Sequence, residues 1–323
     1  MAQAPKVSIG MPVYNGERYI AAAIESILGQ TERDLELIIS DNASTDSTES
    51  ICREFASRDG RIRYLRNETN IGAHPNYNIT FHASSGEFFK WAAHDDVLDL
   101  SYIERCLEKL AAKPDSVVCQ SFLKYIDEND ADIGIYDSRL KGSDTKDPAV
   151  RFGGLILLTH PAYEIMGLYR RSALEGSLLL QSFHGADRAL LAELSLRGPF
   201  TQVTEPLLLV RDHKQRYTQS HVRPKDRAVW HDASLAGKLS LPTWRLYGEY
   251  WKMIGRNLKR GEGRGRCYVQ LIKWWFVNWN AARMLVDVVS TVIPDFVVYA
   301  ERLKQRFFSP QPGAGEIRSQ RRD

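Results

Sequence analysis

Through the first half of the chain, short apolar runs ending in small polar residues alternate with segments whose apolar positions recur every three to four residues. The first run, Val7-Ser8-Ile9-Gly10-Met11-Pro12-Val13, is β-rich and stops at Tyr14-Asn15-Gly16-Glu17, a turn signal. Ile20, Ala23, Ile24, Ile27 and Leu28 then share one helical face. Residues 35–40 predict a second strand, and Asp41-Asn42-Ala43-Ser44-Thr45-Asp46 a loop and N-cap for a helix turning Ile51 and Phe55 inward. Residues 62–65 predict a third strand, before Asn67-Glu68-Thr69-Asn70-Ile71-Gly72 and a helix around 77–82. A fourth strand, 87–91, runs straight into Ala92-Ala93-His94-Asp95-Asp96. This alternation specifies an α/β fold with a doubly wound, mostly parallel sheet, whose C-terminal strand ends are where ligands gather.

Farther on, residues 116–122 predict a strand, 127–130 a polar turn and 137–150 a surface loop. Residues 163–169 predict another strand, followed by Arg170-Arg171, read as solvated charge in preference to phosphate ligands. Phe183-His184-Gly185-Ala186-Asp187-Arg188 opens a helix with an apolar face of Leu190, Leu191, Leu194 and Leu196. Residues 206–210 form a buried strand ending in Arg211-Asp212-His213. Three regions follow: a catalytic part over 1–222 (divided near residue 100), a helical region over 223–308 and a disordered tail over 309–323. In the middle region, 261–266 reads as a flexible basic connector and 268–289 as one helix. That helix carries a stripe of Leu271, Ile272, Trp275, Trp279, Ala282 and Val286.

Composition narrows the function classes. The net charge is only +3, but from Trp251 onward 14 Lys/Arg face 6 Asp/Glu, so a basic end sits on a mildly acidic body. Basic and aromatic residues together fit either a helix lying on a membrane surface or packing against protein, including a second copy, through 225–305. No nucleic-acid reading motif is present. The four cysteines are scattered without a CxxC pair, which predicts a reducing, cytoplasmic setting, with the inner membrane face as the peripheral alternative. No signal peptide is apparent, and no run of 18 apolar residues would span a bilayer.

Two adjacent carboxylates at a sheet rim, Asp95 and Asp96, either cap the next element or hold a divalent cation, Mg²⁺ or Mn²⁺, against phosphate oxygens. Asp187 falls at a helix start, where the position alone reads as an N-cap. His213 is either structural or a metal ligand.

The ordered series Pro12-Val13-Tyr14-Asn15, Ser40-Asp41-Asn42-Ala43-Ser44-Thr45-Asp46, Asn70-Ile71-Gly72 and His94-Asp95-Asp96 resembles family 2 glycosyltransferases. These are enzymes of GT-A fold that invert configuration at the transferred sugar carbon. The resemblance implies transfer from a nucleoside diphosphate sugar, UDP or dTDP favoured, to a saccharide or lipid-linked hydroxyl in surface polysaccharide or glycolipid synthesis. It assigns donor binding to Pro12, Val13, Tyr14, Asn15, Glu17, Asp41, Asn70, Gly72, His74, Asn76, His94, Asp95 and Asp96. It gives Asp95 and His213 to Mn²⁺ or Mg²⁺, and makes Asp187 the general base. The chain departs from the family at Ala93, where the usual Asp-x-Asp-Asp has its first Asp, and near His74, where Arg is common. A non-catalytic sugar-nucleotide-binding or scaffold protein of a polysaccharide assembly complex is the alternative.

Overall fold

A computed structural model describes residues 4–137, 140, 142–158, 160–213, 230–235, 241–293 and 296. Its first half is built as expected. β1 (Val7–Val13), α1 (Ile20–Leu28), β2 (Leu35–Asp41), α2 (Thr48–Arg58), β3 (Ile62–Arg66), α3 (Ala73–His82) and β4 (Phe88–Trp91) follow in order. β1 runs parallel to both β2 and β4, and β2 to β3. Period-two alternation sends Val7, Ile9, Met11 and Val13 into one core with the inner faces of α1 and α4. On the other face Gly10 lets α3 approach: a Cβ there would lie 2.6 Å from Thr80 Cβ.

The second half is mixed. β5 (Val97–Leu98), α4 (Tyr102–Ala112), β6 (Val118–Ile126), β7 (Asp132–Tyr136) and α5 (Pro148–Ile156) precede β8 (Leu168–Arg170). The short α6 (Arg171–Leu174), α7 (Ala186–Arg197) and β9 (Phe200–Arg211) complete the sheet domain. Strand order is β3-β2-β1-β4-β8-β6-β9-β5, with β7 on the side of β6. β8 is antiparallel to both neighbours, whereas β6 and β9 are parallel.

Local differences from the sequence pattern have clear causes. Residues 163–169 are not one strand: Tyr163–Met166 coil into a 3₁₀ turn and only Leu168–Arg170 pairs. α5 begins inside the expected 137–150 loop, with the Asp147 side chain accepting from Ala149 N and Pro148 in its first turn. Arg170 and Arg171 are not solvated charge. Arg170 donates to the carbonyls of Ser116 and Leu110, and Arg171 bonds Ser84 and lies over the Phe81 ring. α7 has no single apolar face, because it is buried nearly all round among α5, α6 and the next helix.

That helix is α8 (Pro242–Asn257), followed by α9 (Arg264–Trp274) and α10 (Asn280–Val292). The single helix expected over 268–289 is therefore two. Asn278 and Trp279 take positive φ (53° and 58°) and break it. Of the connector expected over 261–266 only the part up to Gly263 is a turn, Arg264 to Arg266 forming the start of α9. α8 packs on α7, α9 on α5 and α10 on α8. Glu193 of α7, fully buried, joins the layers: it accepts from Arg197, Arg256, Asn257 and the Leu178 N–H. The tail expected over 309–323 lies outside the described residues.

Candidate active site

The two-residue strand β5 sets the central geometry. It pairs antiparallel with β9, Val97 facing Leu209 and Leu98 facing Leu208. Extending that register puts Asp95 opposite Arg211, with His213 just beyond. Arg211 is buried and locks the junction. Its backbone N–H donates to Asp96 Oδ1 (3.0 Å), its Nε to the Asp95 carbonyl (3.1 Å) and its Nη1 to that of Asp127 (3.2 Å), while Nη2 pairs with Asp130 (2.7 Å). Asp96 thus anchors the end of β9. Asp95 points its carboxylate at His213, with Oδ2 2.8 Å from Nε2. The Tyr19 ring lies 5.0 Å from that imidazole and 4.7 Å from the Arg211 guanidinium, and burial raises its phenol pKa.

The loops after β1 and β2 are stitched together at the same rim. Asn15, in the left-handed region at φ 51°, accepts from Thr45 N and donates its own N–H to Ser44 Oγ. Gly16 N donates to Thr48 Oγ1, while Glu17 and Asp46 exchange bonds through Ser47 N and Glu17 N. Burial opposes ionisation of Asp46, but hydrogen bonds from Thr48 and from backbone N–H groups outweigh it and lower its pKa. Pro12 and Val13 are buried, Tyr14 is exposed, and His94 closes over Gly16, where a Cβ would meet its ring at 2.7 Å.

Asp41 is fully buried. Oδ1 accepts from Ser44 N (2.9 Å), and Oδ2 from the Tyr64 hydroxyl (2.6 Å) and Arg66 (3.3 Å). A carboxylate has about four acceptor positions, so most of this one is already used within the protein. Beside it an amide network holds the third loop. Asn42 bonds Asn70, Asn67, Gly72 O and Ile71 N, and Asn76 bonds Ser40 and Asn67. Asn70 and Asn76 therefore shape the loop that Gly72 turns at φ 94°.

Asp187 sits half-buried in the first turn of α7, after Gly185 at φ 93°. Its Oδ1 accepts the adjacent Arg188 N–H (2.8 Å), a local bond that, among the described residues, leaves Oδ2 for other work. Tyr77 relates it to the Asp95 end. Burial first, then the charges of Asp95, Asp96 and Asp187, raise the Tyr77 phenol pKa, so each of the three acids lies within electrostatic range of that ring. His74 turns away from the third loop toward the start of α7. Its Nδ1 lies 2.6 Å from Gln181 O, and its ring stacks on His231 at 4.2 Å. His231 also meets His184, ring nitrogens 3.4 Å apart. Burial lowers the His74 pKa to about 4, against the pull of Asp187.

The bracing roles of Arg211, Tyr19, Thr48, Asn42 and His231 were missed from sequence. Only Asn42 carried a local signal, as a small polar residue directly after a strand. Asp95 and His213 fit a divalent cation in part. Their ligating atoms converge, and buried His213 Nδ1 has no partner among the described residues. No cluster of three or more ligating side chains forms among those residues. The donor set suits an ion that takes its other ligands from phosphate oxygens and water.

The model for "Glycosyl transferase family 2" matches residues 8–176, and the chain belongs to that family. Among curated relatives, the glycosyltransferase GlyG of Streptococcus pneumoniae is 32% identical over 40% of this chain and 43% of its own length. The putative glycosyltransferase EpsH of Bacillus subtilis is 28% identical over 68% and 59%. The matches thus span less than two thirds of each relative. Among solved structures, S. aureus TarS 1-349 superposes with TM-score 0.61 at 15% identity, covering 84% of this chain and 72% of that one. The mannosyltransferase PcManGT of Pyrobaculum calidifontis, in complex with GDP-Man and Mn²⁺, superposes with TM-score 0.54 at 14% identity, covering 96% and 82%. At that identity these likenesses carry the fold, which is GT-A.

Proposed function

We propose that the chain transfers one sugar from a nucleoside diphosphate sugar, UDP- or dTDP-linked, to a hydroxyl of a saccharide or lipid-linked acceptor, with inversion. The observation that carries this reading is the Asp95–His213 contact that the pairing of β5 with β9 builds at the sheet rim, with Asp187 in the first turn of α7. The braced loops after β1, β2 and β3 form the donor side, and Asp187 lies on the acceptor side. Its free carboxylate oxygen takes the proton of the attacking hydroxyl, which displaces the nucleoside diphosphate in one step; one displacement inverts the carbon. Asp95 and His213 are the residues that would hold Mn²⁺ or Mg²⁺, which when bound offsets the charge of the departing diphosphate.

Support for the donor class comes from structurally similar chains: TarS 1-349 crystallised with UDP and with UDP-GlcNAc, and PcManGT with GDP-Man and Mn²⁺. The test is a thermal-shift titration with UDP, dTDP, GDP and CDP, with and without Mn²⁺, on the wild type and Asp95→Ala. A ligand that binds only the folded state raises its melting temperature. A shift with UDP or dTDP, enhanced by Mn²⁺ only in the wild type, is expected. No shift with any nucleotide would favour the scaffold alternative, in line with the Ala93 departure.

A further inference from the structure

The C-terminal helices cover the sheet domain with one face and, among the described residues, expose apolar side chains on the other. On α9, Cys267, Leu271 and Trp274 are buried, while Val269, Ile272 and Phe276 just past its end are 49%, 57% and 85% exposed. Their i, i+3, i+7 spacing makes them a stripe. The stripe leads into the turn at Trp279, 57% exposed, and continues on α10 as Leu285, Val288 and Val292 at 65%, 44% and 82%. Both helices are thus apolar on their solvent side, the reverse of an ordinary surface helix.

Charge selects the occupant. From Trp251 to Ile293 the chain carries eight Lys/Arg and two acids, Glu262 and Asp287; of the eight, Lys252, Arg256 and Arg266 pair with Glu249, Glu193 and Asp147 of the fold. Both acids are engaged locally: Glu262 caps Lys259 N, and Asp287 is turned inward to accept from Thr243 N at 2.7 Å. Lys273 is exposed beside Ile272, and Arg283 follows Trp279. A second copy pairing through this face would bring like charges together. An anionic lipid surface would meet the basic residues with opposite charge and the stripe with acyl chains. No helix among the described residues is long and apolar enough to cross a membrane. We infer that α9, the Phe276–Trp279 turn and α10 seat the protein flat on an anionic bilayer. The seat does not depend on the proposed transfer reaction and adds a surface to it.

The test is sedimentation of the full chain with vesicles of phosphatidylcholine alone or mixed with phosphatidylglycerol, at low and high salt. Wild type is expected to sediment with the anionic vesicles and largely to remain in solution with neutral ones. The double variant Phe276→Ser/Trp279→Ser should lose about tenfold or more in partitioning. Lys273→Gln/Arg283→Gln should lose binding chiefly at low salt. An unchanged melting temperature in each variant shows that the fold is intact. If wild type stays in solution with anionic vesicles, the inference fails. Light scattering then separates the two remaining occupants: a dimer that Phe276→Ser/Trp279→Ser dissolves, or a monomer whose own chain covers the face.

Discussion

His213 Nε2 lies 2.8 Å from Asp95 Oδ2, although 118 residues separate them in sequence. The contact exists because β5 and β9 pair in one register and Arg211 locks their ends. If the pair acts as one site, removing either partner removes the whole effect. Asp95→Ala and His213→Ala should each abolish the Mn²⁺ enhancement of the nucleotide-induced thermal shift, and the double variant should be no worse than either single. Additive losses in the double variant would mean that the two residues work separately.

Asp187 is expected to matter for turnover and not for nucleotide binding. Asn at this position keeps the oxygen that accepts the Arg188 N–H, so the helix start stays intact. Asp187→Asn should lower turnover by about 10²- to 10⁴-fold, with the thermal shift on nucleotide unchanged. Full activity in this variant would remove Asp187 from the base role.

His74 makes a prediction about acid stability. Its folded pKa of about 4 lies below the ordinary 6.5, so between those values the unfolded chain takes up a proton that the folded chain refuses. Stability is unaffected above pH 6.5, falls as pH drops from 6.5 toward 4, and levels off below that. Asp187 and Asp232 face the imidazole and soften the effect, while His184 adds to it. His74→Gln, able to donate to Gln181 O, should flatten the stability profile across this window. Denaturant midpoints at pH 7, 6 and 5 would read it, and identical slopes in both proteins would refute it.

Lys90 is fully buried on β4, bonded to Met166 O and 4.4 Å from the Tyr102 ring centroid. Burial lowers its pKa to about 7 from 10.5. Between pH 7 and 10.5 the unfolded chain holds the extra proton, so stability should climb with pH through that range and be flat below it. Lys90→Met keeps the volume, and Tyr102 still donates to Met166 O at 3.1 Å. The variant should match or exceed wild type by about 1–3 kcal/mol at pH 7, because a desolvated amine is gone. A large loss of stability would show that the ammonium is stabilising.

Periodicity was enough to read the first half of the molecule, because β1, β2 and β4 are buried on both faces and the strands end in polar turn residues. β1 to β4 lie within a residue or so of their expected bounds. The second half resisted for physical reasons. β5 is two residues long and has no pattern of its own, yet its register places Asp95. α7 is enclosed by other helices, so polar Glu193 sits at full burial where a one-faced pattern predicts solvent. The expected stripe on 268–289 ran through a break at Asn278 and Trp279; Ile272, Trp279 and Ala282 point out, and Trp274 and Met284 take the inward places. The polar residues that end β1, β2 and β3 were legible as a group. The bracing of Asp41, Asn70, Asn76 and Asp96 by other side chains depends on contacts that no local spacing encodes.

The pairing of β5 with β9 also fixes when the site comes into being. Asp95 is synthesised early, among the strands of the nucleotide-binding half, but its partner arrives only after the chain has passed α7 and returned along β9. The stretch matched by the family model ends at residue 176, before both Asp187 and His213. A nascent chain halted there would have the loops after β1, β2 and β3 and neither Asp187 nor His213. Closing a contact across 118 residues is costly in chain entropy, so it forms late. The Asp95–His213 contact is therefore a record of completed folding: only a chain whose two halves have docked in register brings the two side chains together.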